Sequence, residues 1–212
     1  DLRYLLIEKP LCGPELDGLD EFSLQVESSG CNVLVGYNHI FTKNTRLAED
    51  IIKRESLGAP LSLHVRWLEH WGGIFAAHPW LSGPEASYLG YWTRGGGACG
   101  EHSHAISLWQ YFSTYLGMGK ISNVISTMKM VDDGSVEYDA TAHLLVESEH
   151  GLVGSIIQDV VTAPAEKTMR IQFQQGFIEW RANFDSTHDA VLYAAEGKSE
   201  QLELIEKKRT DD

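Results

Sequence analysis

The chain has 212 residues, of which 30 are acidic and 17 basic, for a formal charge of −13. That balance argues against a nucleic-acid or anionic-membrane partner, since both need a basic face to meet phosphates. A hydrophobic share of 43% excludes a disordered chain, and no apolar run approaches the ~18 residues of a membrane span. Cys12, Cys31 and Cys99 form an odd set without a C-x-x-C pair. Neither a disulfide framework nor a thiolate zinc site is indicated, and a reducing, cytoplasmic setting is the default. Cys99 lies in a glycine loop and reads as a small buried apolar side chain rather than a nucleophile. The chain begins at Asp1 with no initiator Met, no basic n-region and no apolar h-region, so a piece of a longer protein is expected.

Residues 4–7 and 33–35 are short apolar runs. Between them Leu16, Leu19, Phe22 and Val26 recur near helical spacing, with Pro14 at a first-turn position and Gly30 at the stop. Strand, helix and strand in that order predict two parallel strands joined by a right-handed crossover. Two parallel strands cannot bury themselves, so this opening reads as the last βαβ piece of a doubly wound sheet. Residues 44–57 predict a helix with Leu47 and Ile51 on one face. From residue 60 the period changes, and Leu61, Leu63, Val65 and Trp67 alternate with polar residues as in a half-buried strand. Residues 71–97 are rich in Gly, Pro and Trp without periodicity, which predicts a long ordered loop of the kind that often carries function.

Ala105, Leu108, Trp109, Phe112 and Leu116 predict a helix over 103–116, ended by Gly117. Strands are expected at 121–131, 136–147, 152–161, 167–174, 177–182, 189–195 and 201–205. The second places Val136 through Val146 on one face and Glu137, Asp139, Thr141, His143 and Glu147 on the other. Short links such as Asp132-Asp133-Gly134 favour hairpins and antiparallel pairing. The expected fold is α+β. Residues 1–42 are a remnant of a nucleotide-binding α/β domain. Residues 43–212 form a domain built on a large, open, mostly antiparallel sheet with helices on one face, and end in a charged tail at 206–212 with no closing helix.

Glu8-Lys9-Pro10 stands at the carboxyl end of the first strand, where doubly wound sheets place ligands. A lysine there can hydrogen-bond a substrate oxygen. Gly95, Gly97 and Gly100 formally satisfy G-x-G-x-x-G, but no strand precedes them and the next strand has no acid until Asp132, so the dinucleotide fingerprint does not apply. The glycines instead permit close backbone approach beside a helix start. Glu101, His102 and His104 concentrate there. His104 suits proton transfer near neutral pH, and a metal site on the same three residues is the rival chemistry.

Leu6 to Leu11 with its Glu-Lys-Pro, Val33 to Phe41 with its Val-Gly-Tyr-Asn, and Gly95-Gly96-Gly97 followed by Glu101, Ser103 and His104 resemble, in that order, the glucose-fructose oxidoreductase / inositol dehydrogenase (Gfo/Idh/MocA) family. The resemblance implies an N-terminal Rossmann domain for NAD or NADP and a C-terminal domain for substrate and oligomer contacts. It implies a homo-oligomer formed through the sheet and oxidation of a secondary alcohol of a sugar, nucleotide sugar or cyclitol. By similarity Lys9 is the active-site lysine and His104 the proton-transfer histidine. The family's acid usually stands four residues before that histidine, where this chain has Gly100, so its role passes to Glu101. Glu8, Lys9, Pro10 and Asn38 are then cofactor-side positions, and Tyr37, Arg94 and His102 substrate-side ones. Two other readings stay open at this point: a non-catalytic binding or assembly domain of the same family, and a metal-dependent hydrolase.

Overall fold

A computed structural model describes residues 2–207, so most of the tail expected at 206–212 lies outside the described residues. The chain opens with β1 (Tyr4–Ile7), α1 (Leu19–Ser29) and β2 (Asn32–Val35), and the two strands pair in parallel from Tyr4 opposite Asn32 to Ile7 opposite Val35. The helix starts later than Pro14. Leu16 and Gly18 both take left-handed backbone, with φ of 59° and 75°, so the chain turns before α1 can begin and Leu16 stays exposed. Asp20 and Glu21 then sit in the first turn, where the helix dipole favours them. Phe22 and Val26 face Leu5 and Val33 across one groove, whereas Tyr4, Leu6 and Leu34 are exposed on the other face of the pair.

A 3₁₀ turn at Asn38–Phe41 leads into α2 (Lys43–Arg54) and β3 (Pro60–Leu68). The segment expected as loop is more regular than its composition implies: it holds α3 (Gly72–Ala77) and three single 3₁₀ turns between residues 84 and 94. Ile74 and Phe75 of α3 pack on a small second core of Trp71, Leu89, Ala98, Ala140 and Val160, and that local burial is what gives the segment its order. Then follow α4 (Gly97–Glu101), α5 (His104–Tyr115), β4 (Ile121–Asp132), β5 (Glu137–Ser148), β6 (Val153–Asp159), β7 (Glu166–Phe173), β8 (Gly176–Ala182), β9 (His188–Ala195) and β10 (Gln201–Glu206).

The last seven strands and β3 form one sheet in the order β10-β9-β8-β7-β3-β6-β5-β4. All neighbours are antiparallel except β3 and β6, so β3 inserts between β6 and β7 and prevents those two from forming a hairpin. Helices α2 and α5 cover one face, where Leu63, Trp67, Trp109, Phe112, Ile156, Met169 and Trp180 are buried in a single core. The opposite face carries ion pairs such as Arg66 with Glu166 at 2.7 Å and Arg170 with Glu179 at 3.2 Å. Among the described residues no helix is long and apolar enough to cross a membrane.

One contact fixes α5 on the sheet. The buried indole N–H of Trp109 donates to the Leu63 carbonyl at 2.9 Å, at the point where Leu63 stands opposite Gly154 in the parallel pair. A Cβ on residue 154 would collide with that carbonyl and reach 3.0 Å from the indole nitrogen. We expect Gly154→Ala to destabilise the protein by about 1–3 kcal/mol through overpacking, read as a lower urea midpoint.

Candidate active site

Each site residue arrives at the end of an element. Lys9 leaves the carboxyl end of β1, Tyr37 and Asn38 that of β2, His39 lies in the following 3₁₀ turn, Trp67 near the end of β3, Glu101 closes α4 and His104 opens α5. The Lys9 ammonium donates to Glu101 Oε2 and to the Glu101 carbonyl, both at 2.8 Å. The Tyr88 hydroxyl donates to the same Oε2 at 2.6 Å. Burial, followed by the Glu101 carboxylate, pushes the Tyr88 hydroxyl well above its ordinary range, so it stays a donor.

His104 is surrounded by rings. It stacks on Trp67 with centroids 5.7 Å apart and meets His39 and Tyr37 edge-on at 4.9 and 5.7 Å. Its Nδ1 is buried with no hydrogen-bond partner. Burial, then the neighbouring His39 and Lys9, lower its pKa to about 3, while Glu101 acts in the opposite sense. His39 falls to about 4, again chiefly by burial and then by Lys167. Both imidazoles are therefore neutral at neutral pH.

The glycines serve packing. Gly95, at φ 82°, leaves room for the Pro10 ring, and the missing side chain of Gly97, at φ 75°, is where the Asp139 carboxylate enters. Asp139 is buried and accepts from the Cys99 N–H at 2.8 Å, which ties the start of α4 to β5. Simple alternation puts Asp139 on the outer face. A bulge in β5 at Ala140, where Lys129 pairs with Thr141 but Met130 with Asp139, turns it inward. A Cβ on Gly100 would run into the Gly95 carbonyl, so this backbone has no place for an acid at the family's usual position. Glu101, one residue on, makes the contact to Lys9. Burial raises the Cys99 thiol to about 11, which keeps it protonated and unreactive.

Two cavities meet at His104. The first, of about 540 Å³, lies at the carboxyl ends of β1 and β2 and brings together Glu8, Tyr37, Asn38 and His104, with Leu6, Leu34 and Phe41 on its wall. The second, of about 500 Å³, brings together Lys9, Glu101, His102 and His104 and adds His39, Trp67, Glu69 and Lys167. His102 is 3% exposed, its Nε2 lies 3.1 Å from the Glu69 carbonyl, and its own carbonyl accepts from Gln158. It holds the α4–α5 junction as well as lining the cavity. Arg94 lines neither cavity: it is exposed and stacks on Tyr91 with its guanidinium 4.1 Å from the ring centre. Pro10 packs beneath Gly95 and is likewise outside both. Among the described residues no three His, Cys, Asp or Glu side chains converge as metal ligands, and the Glu101 carboxylate is already engaged by Lys9 and Tyr88. Glu69, Lys167 and Tyr88 were not singled out in the sequence; each stands alone in a strand or loop, and only the fold brings it to the cavity.

The family model for the GFO/IDH/MocA C-terminal domain matches residues 45–179. The chain belongs to the GFO/IDH/MocA family. Solved structures of like fold include an inositol dehydrogenase homolog from Azotobacter vinelandii complexed with NADH and myo-inositol, at 18% identity and a TM-score of 0.72, covering 95% of this chain and 49% of that one. The WlbA dehydrogenase from Bordetella pertussis, in complex with NADH and UDP-GlcNAcA, matches at 19% identity and a TM-score of 0.68 over 99% of this chain and 54% of its own. An NAD binding oxidoreductase from Klebsiella pneumoniae matches at 20% and 0.70 over 96% and 54%. At such identity the likeness establishes the fold, and this GFO/IDH/MocA chain spans about half the length of those structures. No curated protein sequence matches it.

Two outcomes follow. Replacing Glu101 by Ala and placing the acid at the family's usual position, as Gly100→Asp, is expected to lower the melting temperature, because a side chain at residue 100 meets the Gly95 carbonyl, and not to recover the stability lost with the Lys9 contact. Burial depresses His39, His104 and, in direction, His102. On acidification the unfolded chain takes up protons near pH 6.5 while the folded histidines do not. The histidines' contribution to stability is therefore complete above about pH 6.5 and falls from there to about pH 4 for His39 and about pH 3 for His104, by at most about 1.4 kcal/mol per pH unit for each proton. The slope of denaturant midpoint against pH should be shallower in His39→Gln.

Proposed function

We propose that this chain carries the substrate side and the proton-transfer residues of an NAD(P)-dependent oxidoreductase acting on a secondary alcohol of a sugar, nucleotide sugar or cyclitol. The observation that carries the reading is that His104, neutral and with an unpartnered buried Nδ1, lines both cavities, while the Lys9 ammonium borders one of them. The first cavity, at the carboxyl ends of parallel strands, fits the nicotinamide end of a dinucleotide, with Glu8, Tyr37 and Asn38 around it. When bound, the nicotinamide supplies the hydride acceptor.

The chain's own residues supply the remainder. His104 accepts the substrate hydroxyl proton on a ring nitrogen, and the nearby Glu101 carboxylate favours the imidazolium that results. Lys9 has three N–H donors, of which Glu101 takes two, so one remains for the same substrate oxygen. Glu101 fixes Lys9 in place, and Tyr88 fixes Glu101. Trp67 and His39 keep the imidazole dry and oriented.

The test uses the protein expressed from its complete gene. NADH or NADPH should raise its melting temperature and change nicotinamide fluorescence; absence of both effects sinks the dehydrogenase reading. His104→Ala should lower kcat/KM for alcohol oxidation by about 10²–10⁴, and full activity in that variant would remove His104 from the proposed role.

A further inference from the structure

The second cavity contains a second built ion pair that the proposed proton transfer does not use. Lys167 of β7 reaches Glu69, just beyond β3, with Nζ and Oε2 2.7 Å apart, and its side chain is only 13% exposed. The ammonium also lies 5.2 Å from the centre of the Trp67 ring, the same ring on which His104 stacks. The indole is thus a common wall with the reacting imidazole on it and the Lys167–Glu69 pair beside it, and all four side chains border one cavity.

The charges on this wall cancel. Lys9 is matched by Glu101 and Lys167 by Glu69, each at hydrogen-bond distance. Burial lowers the pKa of His39, His102 and His104 and keeps them neutral, and the Gly72 N–H donates to His70 Nδ1 at 2.9 Å. No arginine lines the cavity among the described residues. An anionic ligand would meet cations whose charge is already spent and two carboxylates that repel it. A pair of adjacent hydroxyls suits the site better: the ammonium donates to one oxygen and the carboxylate accepts from the other O–H, so both partners stay satisfied.

We propose that Glu69 and Lys167 are the specificity-determining pair of this cavity, binding a vicinal diol of an uncharged sugar or polyol and excluding the corresponding uronate. This rests on the dehydrogenase reading for the identity of the reaction, but not for the binding preference. The experiment measures thermal shift without cofactor, and kcat/KM with it, for D-glucose, D-xylose and myo-inositol against D-glucuronate and D-galacturonate. Wild type should bind and use neutral compounds in preference to the uronates. Glu69→Gln, which keeps the shape but frees the ammonium, should raise the uronate-to-neutral ratio of kcat/KM by about tenfold or more. Lys167→Met should weaken neutral ligands, with KM rising more than kcat falls. A wild-type preference for uronates, a ratio unmoved by Glu69→Gln, or no shift with any neutral compound overturns the proposal. Neutral-ligand binding without NAD(P) reduction would sink the dehydrogenase reading and leave this one standing, whereas reduction with uronates preferred would do the reverse.

Discussion

Lys9 and Glu101 stand 92 residues apart in the chain and meet at 2.8 Å, and the site is organised around that meeting. Lys9 belongs to the small parallel pair β1–β2, Glu101 to the short helix α4 clamped on the large sheet by Asp139. The ammonium takes both the carboxylate and the main-chain carbonyl of Glu101, so it locates the end of α4 itself and not only a flexible side chain. Three residues on, His104 inherits that position. A partly buried ion pair of this kind contributes little net stability, because desolvation offsets its attraction, but losing either partner leaves an uncompensated charge in the cleft. Its use is geometric.

Holding a polar cluster beside an aromatic wall has an electrostatic result. Trp67 and the core beneath it withdraw solvent from His39 and His104, and two lysines stand nearby, so both rings resist protonation. The carboxylates of Glu101 and Glu69 neutralise those lysines locally. The cavity therefore combines strong donors and acceptors with almost no net charge, against a chain that is formally −13. Net charge says little about the field inside a single cleft.

Much of the scaffold is readable from side-chain period alone. Leu63, Val65 and Trp67 alternate into the core as their spacing implies, and Ala105, Leu108, Trp109 and Phe112 form the buried stripe of α5. Lys9, Glu101 and His104 were legible through motif order, and the structure brings them together. What resisted reading is non-local or irregular. Asp139 sits on the outward phase of its strand, and only a bulge turns it in. Glu69 and Lys167 are ordinary charged residues until β3 and β7 pair and place them side by side. Leu16 has helical spacing, but the left-handed backbone at Leu16 and Gly18 overrides it. Arg94 matched a motif position, yet stacking on Tyr91 carries it away from the cleft.

The insertion of β3 between β6 and β7 has a consequence for how the chain reaches this state. On a ribosome β3 emerges long before either of its neighbours, since Leu63 pairs with Gly154 on one side and Ile171 on the other. Until then a strand bearing Leu63, Val65 and Trp67 has α2 but no sheet to join. The centre of the sheet is thus completed late, by contacts of large sequence separation, which are slow to form. The exposed interval is when an unpaired apolar strand is most open to mispairing with other chains, so the element that finally unites the fold is also its principal hazard during synthesis.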